Sequence, residues 1–321
     1  MGRSSGSPPT TNSGSRGNVH RLRFAFAAAC ALAAGLVAAP PADAATLARA
    51  REPVSRGLLF RIDKPGIAAS FVFGTLHSGD PRVTALPRPV SEAFDRARTF
   101  APEVHFSESD IAGFFAAAQF DDGRRLTDFF DAASLSAIRA ALGATAPADD
   151  VLVRLKPWAV LLKLGEQPAA GGGETLDRNL LADAMRRRLA VVGLELPDEQ
   201  ISAFDAIPLA TQVALVQFVL AHRDMLARNH EAVIRAWLDR DLAQLAFLGA
   251  APGRLYPEIA PHFAELTRHL VENRTAQMAH RLFLPLRAGR VFVAVGALHL
   301  HGERGLLALL RALGYRVSVV Y

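Results

Sequence analysis

The chain of 321 residues contains a single cysteine, Cys30, and that residue lies inside an apolar run near the N-terminus. Beyond that run there is no thiol, which excludes disulfides, cysteine-ligated metals and cysteine nucleophiles. Several familiar templates are missing as well. No Gly-x-Gly-x-x-Gly follows a strand-like run, no Gly-x-Ser-x-Gly elbow stands between a strand and a helix, and no His-Glu-x-x-His lies in a helical stretch. Gly171-Gly172-Gly173 lacks the Lys-Ser/Thr of a phosphate loop. Dinucleotide, serine-hydrolase and ordinary zinc-protease chemistries are therefore set aside. No basic stripe with interleaved aromatics occurs, so nucleic acid is not an expected partner.

Long apolar runs are scarce too. The most prominent extends from Phe24 to Ala39, preceded by Arg16, Arg21 and Arg23 and followed by Pro40, Pro41 and Ala42-Asp43-Ala44. That is the order of a secretory signal peptide, with cleavage expected after Ala44. The run falls short of the roughly 20 residues of a spanning helix, so no stable membrane span is expected after cleavage. A lipoprotein signal would need a larger aliphatic residue than Ala27 three positions before Cys30. Residues 1–44 are thus read as a disordered N-terminus plus leader, 45–57 as a linker, and 58–321 as one domain of an exported protein, periplasmic or extracellular. The leader carries four arginines and one aspartate, so removing it reduces the formal charge from +5 to +2.

What the remainder does contain is a repeated phrase. Val291-Phe292-Val293-Ala294-Val295 leads into Gly296-Ala297-Leu298-His299, and Phe71-Val72-Phe73 leads into Gly74-Thr75-Leu76-His77. Continuous β-branched and aromatic runs predict buried strands. Each is followed by a loop, an amphipathic helix and another strand. The first helix is Val90–Arg98, leading to a strand over Thr99–Phe106 that Pro102 demotes toward an edge. The second runs from Leu306 to Leu313, with Gly314 as its cap and a strand over 315–320. Such connections favour parallel neighbours. Asp63-Lys64-Pro65-Gly66 predicts a hairpin turn ahead of the first unit.

The middle reads as helical. Asp149–Glu166 is broken by Pro157, and Thr175–Arg188 forms the next helix. A short buried strand over Leu189–Glu195 follows. Two or three helices are expected between Pro197 and Leu248, and a further pair over Gly253–Phe283. The fold class is α/β (α+β), with a central sheet carrying two strand–Gly-x-x-His–helix–strand units and a large, mostly helical middle section.

His77 and His299 are the leading site residues, because neutral imidazole suits divalent metals and Gly74 and Gly296 let backbone approach a ligand closely. His105 and His301 are rivals. Carboxylates would complete such a site as ligands or as a base. Glu103 and Glu195 both follow strand-like runs, where an unpartnered charge is costly. By spacing alone Arg274 belongs to a solvated helix face.

Taken together these segments resemble the TraB/GumN family, which includes the Tiki proteases. The resemblance rests on Phe71–His77, on Gly193-Leu194-Glu195 with Glu199-Gln200, on Asn273-Arg274 with Gln277-Met278-Ala279, and on Val293–Val317. It departs at Ala101-Pro102 and His105, which flank Glu103 where the family has an apolar pair and an aspartate. The resemblance implies a metal-dependent hydrolase of peptidase type, with manganese, cobalt or zinc held by His77, His299 and Glu103. It further implies that Glu195 is a second ligand or general base, and that Arg274 neutralises developing charge or pairs with a glutamate. A non-catalytic factor binding a peptide or glycan through the same pocket is the alternative. The oligomeric state is left open.

Overall fold

Two adjacent strands, β1 (Leu59–Lys64) and β2 (Ile67–Thr75), pair antiparallel around Pro65-Gly66, as the turn sequence predicts. Gly66 adopts φ +77°, which favours glycine. The computed structural model describes residues 54–165 and 174–321. The leader, most of the 45–57 linker and the Gly171–Gly173 break lie outside the described residues. The described part of the linker is tied to the domain. Gly57 N donates to Arg240 O, and the Val54 carbonyl meets His301 Nδ1 at 3.0 Å.

Four more strands complete one sheet: β3 (Thr99–Pro102), β4 (Ala190–Val191), β5 (Val291–Gly296) and β6 (Arg316–Val319). Their order is β4-β3-β5-β2-β1-β6. The first four run parallel to one another, and β1 is antiparallel to both β2 and β6. The repeated units therefore share a direction, but their strands are not neighbours as expected. β5 inserts between β2 and β3, and β6 pairs with the far side of β1. The reason is burial: every residue of β5 is buried, so this strand takes the centre, where both edges and both faces are covered. β3 is likewise an inner strand and not an edge. Its proline falls on the last rung, opposite Ala294, where the missing N–H interrupts nothing. Beyond it the segment after β4 stays alongside, with the N–H groups of Leu194 and Glu195 donating to Pro102 O and Glu103 O. The expected buried strand over Leu189–Glu195 is instead a two-residue, half-exposed edge.

Two apolar cores result. One surrounds the sheet, with Phe94 packed edge-on to Phe100 and Phe292, and Phe73 against Trp237. The other lies within the helical middle section, where Trp158 stacks on Phe204 at 5.1 Å between ring centres. Pro157 restarts a helix there, Pro157–Gly165, as expected. The stretch after Pro197 holds four helices where two or three were expected: Pro197–Asp205, Leu209–Ala221, Arg223–Leu238 and Leu242–Leu255. Pro208 and an Asp241 cap, which accepts from Gln244 N, punctuate the apolar pattern more finely than its period suggests.

One long helical run joins the two cores. It comprises Ala260–Thr267, a π-helical turn over Arg268–Glu272, and Asn273–Arg281. Leu266, Leu270 and Val271 belong to the helical core, whereas Met278, Ala279 and Leu282 belong to the sheet core.

The approach to β5 depends on Gly289, at φ +74°, where a Cβ would stand 2.7 Å from the Ala68 carbonyl oxygen; Gly66 has nothing within 4 Å. Gly289→Ala should therefore cost about 2–4 kcal/mol, combining left-handed strain with a backbone clash, and Gly66→Ala only about 1–2 kcal/mol. Urea denaturation of the two variants checks this, and equal losses would contradict it.

Candidate functional site

Four parallel strands lie side by side, and each delivers one polar residue beyond its carboxyl end. Across β4-β3-β5-β2 these are Glu195, Glu103, His299 and His77. Ligands in open α/β sheets bind along this edge. Gly74 lets the β2 end pack against the short helical turn Ala297–His299, because a Cβ there would lie 2.8 Å from Leu300 Cδ1 and 3.2 Å from Ala297 Cα. Gly296 contributes its backbone: its N–H donates to Glu103 Oε1 at 2.6 Å.

Arg274 lies at the centre of the charge arrangement and is 4% exposed, not on a solvated face. Its Nε donates to both oxygens of Glu195 at 2.9 and 3.0 Å, and one terminal nitrogen reaches Glu195 Oε2 at 2.6 Å and Glu103 Oε2 at 2.7 Å. The other terminal nitrogen donates to Leu270 O at 3.0 Å, within the π-helical turn. Widened turns of this kind occur often at functional sites. Burial acts to raise the Glu103 pKa, but Arg274, His299 and His77 in their protonated forms, and the Gly296 N–H together outweigh it and hold the carboxyl well below its usual range.

The histidines are fixed from behind. His77 Nδ1 lies 2.7 Å from Asp177 Oδ2, while Thr75 Oγ1 donates to Asp177 Oδ1 at 2.6 Å. An ionised carboxylate only accepts, so His77 Nδ1 carries the proton. On the other side, Thr275 Oγ1 lies 2.6 Å from Val271 O and 2.7 Å from His299 Nδ1. The single hydroxyl proton goes to the carbonyl, so His299 Nδ1 must donate to the threonine. In the neutral ring each Nε2 then bears a lone pair. His77 Nε2 and His299 Nε2 lie 3.8 and 3.7 Å from Glu103 Oε1. His299 is fully buried and its Nε2 has no hydrogen-bond partner among the described residues.

Lone pairs facing a carboxylate oxygen repel unless a proton or cation lies between them. Two donors at about 2.1 Å from one tetrahedral ion stand about 3.4 Å apart, close to the separations seen. In formal charge, the two carboxylates on Arg274 exceed its guanidinium by one, and Asp177 behind His77 adds another, which leaves a deficit a cation would offset. Among the described residues no group of three or more His, Cys, Asp or Glu side chains stands in an arrangement that could hold a metal ion as it is. The approach is pairwise, through Glu103. The chemistry of the donors fits a divalent ion, and the orphaned buried nitrogen is the strongest sign of it.

His105 is exposed and His301 is bound to the Val54 carbonyl, so neither joins the cluster. Asp177, Thr75 and Thr275 do join it and were not picked out from the sequence. Asp177 lies in the first turn of the helix Leu176–Arg186, where an acid is ordinary.

The TraB/PrgY/gumN family model matches residues 58–319. No curated protein matches the chain, and no solved structure does.

Removing the guanidinium would strand two buried carboxylates. Arg274→Met should destabilise the metal-free protein by about 3–5 kcal/mol at pH 7. Because the folded pKa of Glu103 is depressed, its stabilisation is present above the ordinary carboxylate range and is lost as pH falls through the folded value. Without Arg274 that depression disappears, so the deficit should be largest at pH 7 and narrow toward pH 4. Denaturation curves at both pH values test this, and a deficit independent of pH would refute it.

Proposed function

The chain belongs to the TraB/PrgY/gumN family, and from that premise we propose that it is an exported, metal-dependent hydrolase of peptidase type. The observation that carries this reading is His299 Nε2, a fully buried lone pair without a hydrogen-bond partner among the described residues, aimed at Glu103 Oε1. His77 Nε2, His299 Nε2 and Glu103 Oε1 would hold the ion, with manganese, cobalt or zinc as candidates. A divalent ion bound there would lower the pKa of water and polarise a substrate carbonyl.

The chain's own residues prepare and maintain that site. Asp177 and Thr275 fix the histidine tautomers, as carboxylates and carbonyls commonly do behind metal-binding imidazoles. Arg274 takes Glu103 Oε2 and leaves Oε1 turned toward the imidazoles. Both oxygens of Glu195 are bound by Arg274, so Glu195 serves as an anchor for the guanidinium; acting as a base would require its release. Both are positioning residues in this reading. Substrate would enter past His77 and Asp177, whose side chains are 14% and 23% exposed, while His299 is closed off at 0%. Export follows from the leader sequence.

A second reading draws on the same burial. A site whose other members are so enclosed also suits a periplasmic factor that holds a peptide or glycan without cleaving it. Turnover of a peptide library by the metal-loaded protein separates the two.

Elemental analysis after reconstitution with manganese, cobalt or zinc should give bound metal in the wild type. His77→Ala and His299→Ala should lose it while keeping their melting transitions. Asp177→Asn and Thr275→Val should weaken binding by about 10- to 100-fold. Wild-type protein with no metal above background would end the hydrolase reading.

A further inference from the structure

The end of the sheet opposite the histidines is strongly basic. The residues leading into β3, β4 and β5 include Arg96 and Arg98, Arg186, Arg187 and Arg188, and Arg287 and Arg290, and all seven are exposed. Backbone contacts place them together: Arg98 N donates to Arg290 O at 2.8 Å, and Ala190 N to Arg98 O at 3.1 Å. Asp95 and Asp183 pair with Arg187, and Asp183 also with Arg186. Arg96, Arg98, Arg188, Arg287 and Arg290 have no acidic partner among the described residues. Seven arginines against two aspartates leave a formal surplus of five. The chain after Ala44 carries only +2, so this pole holds more than the whole net charge and the rest is negative.

Apolar side chains flank the same pole. Met185 is 57% exposed next to Arg186, and Leu284 is 73% exposed on the short helix Phe283–Ala288 that leads to Arg290. Phe283, 45% exposed, lies under Arg287 at 5.5 Å. Arginines interspersed with exposed apolar groups match a lipid headgroup layer, where the charges meet phosphates and the apolar tips enter the acyl boundary. A soluble polyanion would leave those tips in water.

We propose that this arginine pole docks the protein on the anionic headgroup surface of a bilayer, with the histidine edge turned away from it. The proposal does not depend on the reaction assigned to the site. Each arginine brought to an anionic surface strengthens binding about fivefold, and salt should weaken the attachment because exposed charges are screened beyond about 8 Å at physiological ionic strength.

The test is flotation of the purified exported protein with vesicles of 30% phosphatidylglycerol in phosphatidylcholine, and with vesicles of phosphatidylcholine alone. Binding only to the anionic vesicles, abolished by 0.5 M salt, is expected. Arg98→Glu/Arg188→Glu/Arg290→Glu should reduce it by about a hundredfold or more, and the milder Arg96→Gln/Arg98→Gln by about 25-fold, with unchanged melting transitions. Leu284→Ser should weaken vesicle binding but leave retention on a sulfated dextran column unaltered. His77→Ala should bind vesicles as wild type does. Equal binding to both vesicle types, binding to the dextran without vesicle binding, or no binding to either would overturn the proposal.

Discussion

A guanidinium removed from water, with two carboxylates for partners, sets the terms for the rest of this structure. Burying such charges is costly, and the cost is met only when every donor finds an acceptor in good geometry. Arg274 meets that condition with Glu195, Glu103 and the Leu270 carbonyl. To supply those partners, β3 and the segment after β4 must end side by side, and a helix must cross above them. The sheet order and the π-helical turn are thus two halves of one requirement.

The same interaction joins the two apolar cores. Residues of the long helical run before Arg274 pack into the helical core, and those after it pack into the sheet core. Apolar contacts have no strong preference for one register of sliding, whereas a forked guanidinium held by two carboxylates does. The seam between the cores is therefore fixed by polar geometry at the point where the imidazoles converge.

Much of this was legible in the sequence, and the remainder was hidden for physical reasons. The β5 run, the hairpin turn at Pro65-Gly66 and both Gly-x-x-His endings are local signals, carried by period and turn chemistry. Strand order is not local. It depends on which strand is apolar on both faces, and that placed β5 between strands that the linear pattern would pair. Arg274 sits among Glu272, Asn273 and Thr275, and its partners lie 79 and 171 positions away. No window around it could distinguish a buried fork from a wetted helix face. Asp177 was obscured by the opposite ambiguity, since helix dipoles attract acids wherever helices begin.

The contact between the Val54 carbonyl and His301 gives the molecule a polarity of attachment. The chain enters the fold two residues past His299, on the histidine edge, while the arginine pole lies at the other end of the strands. A label or tag joined just before Val54 would therefore lie nearer the imidazoles than the arginines.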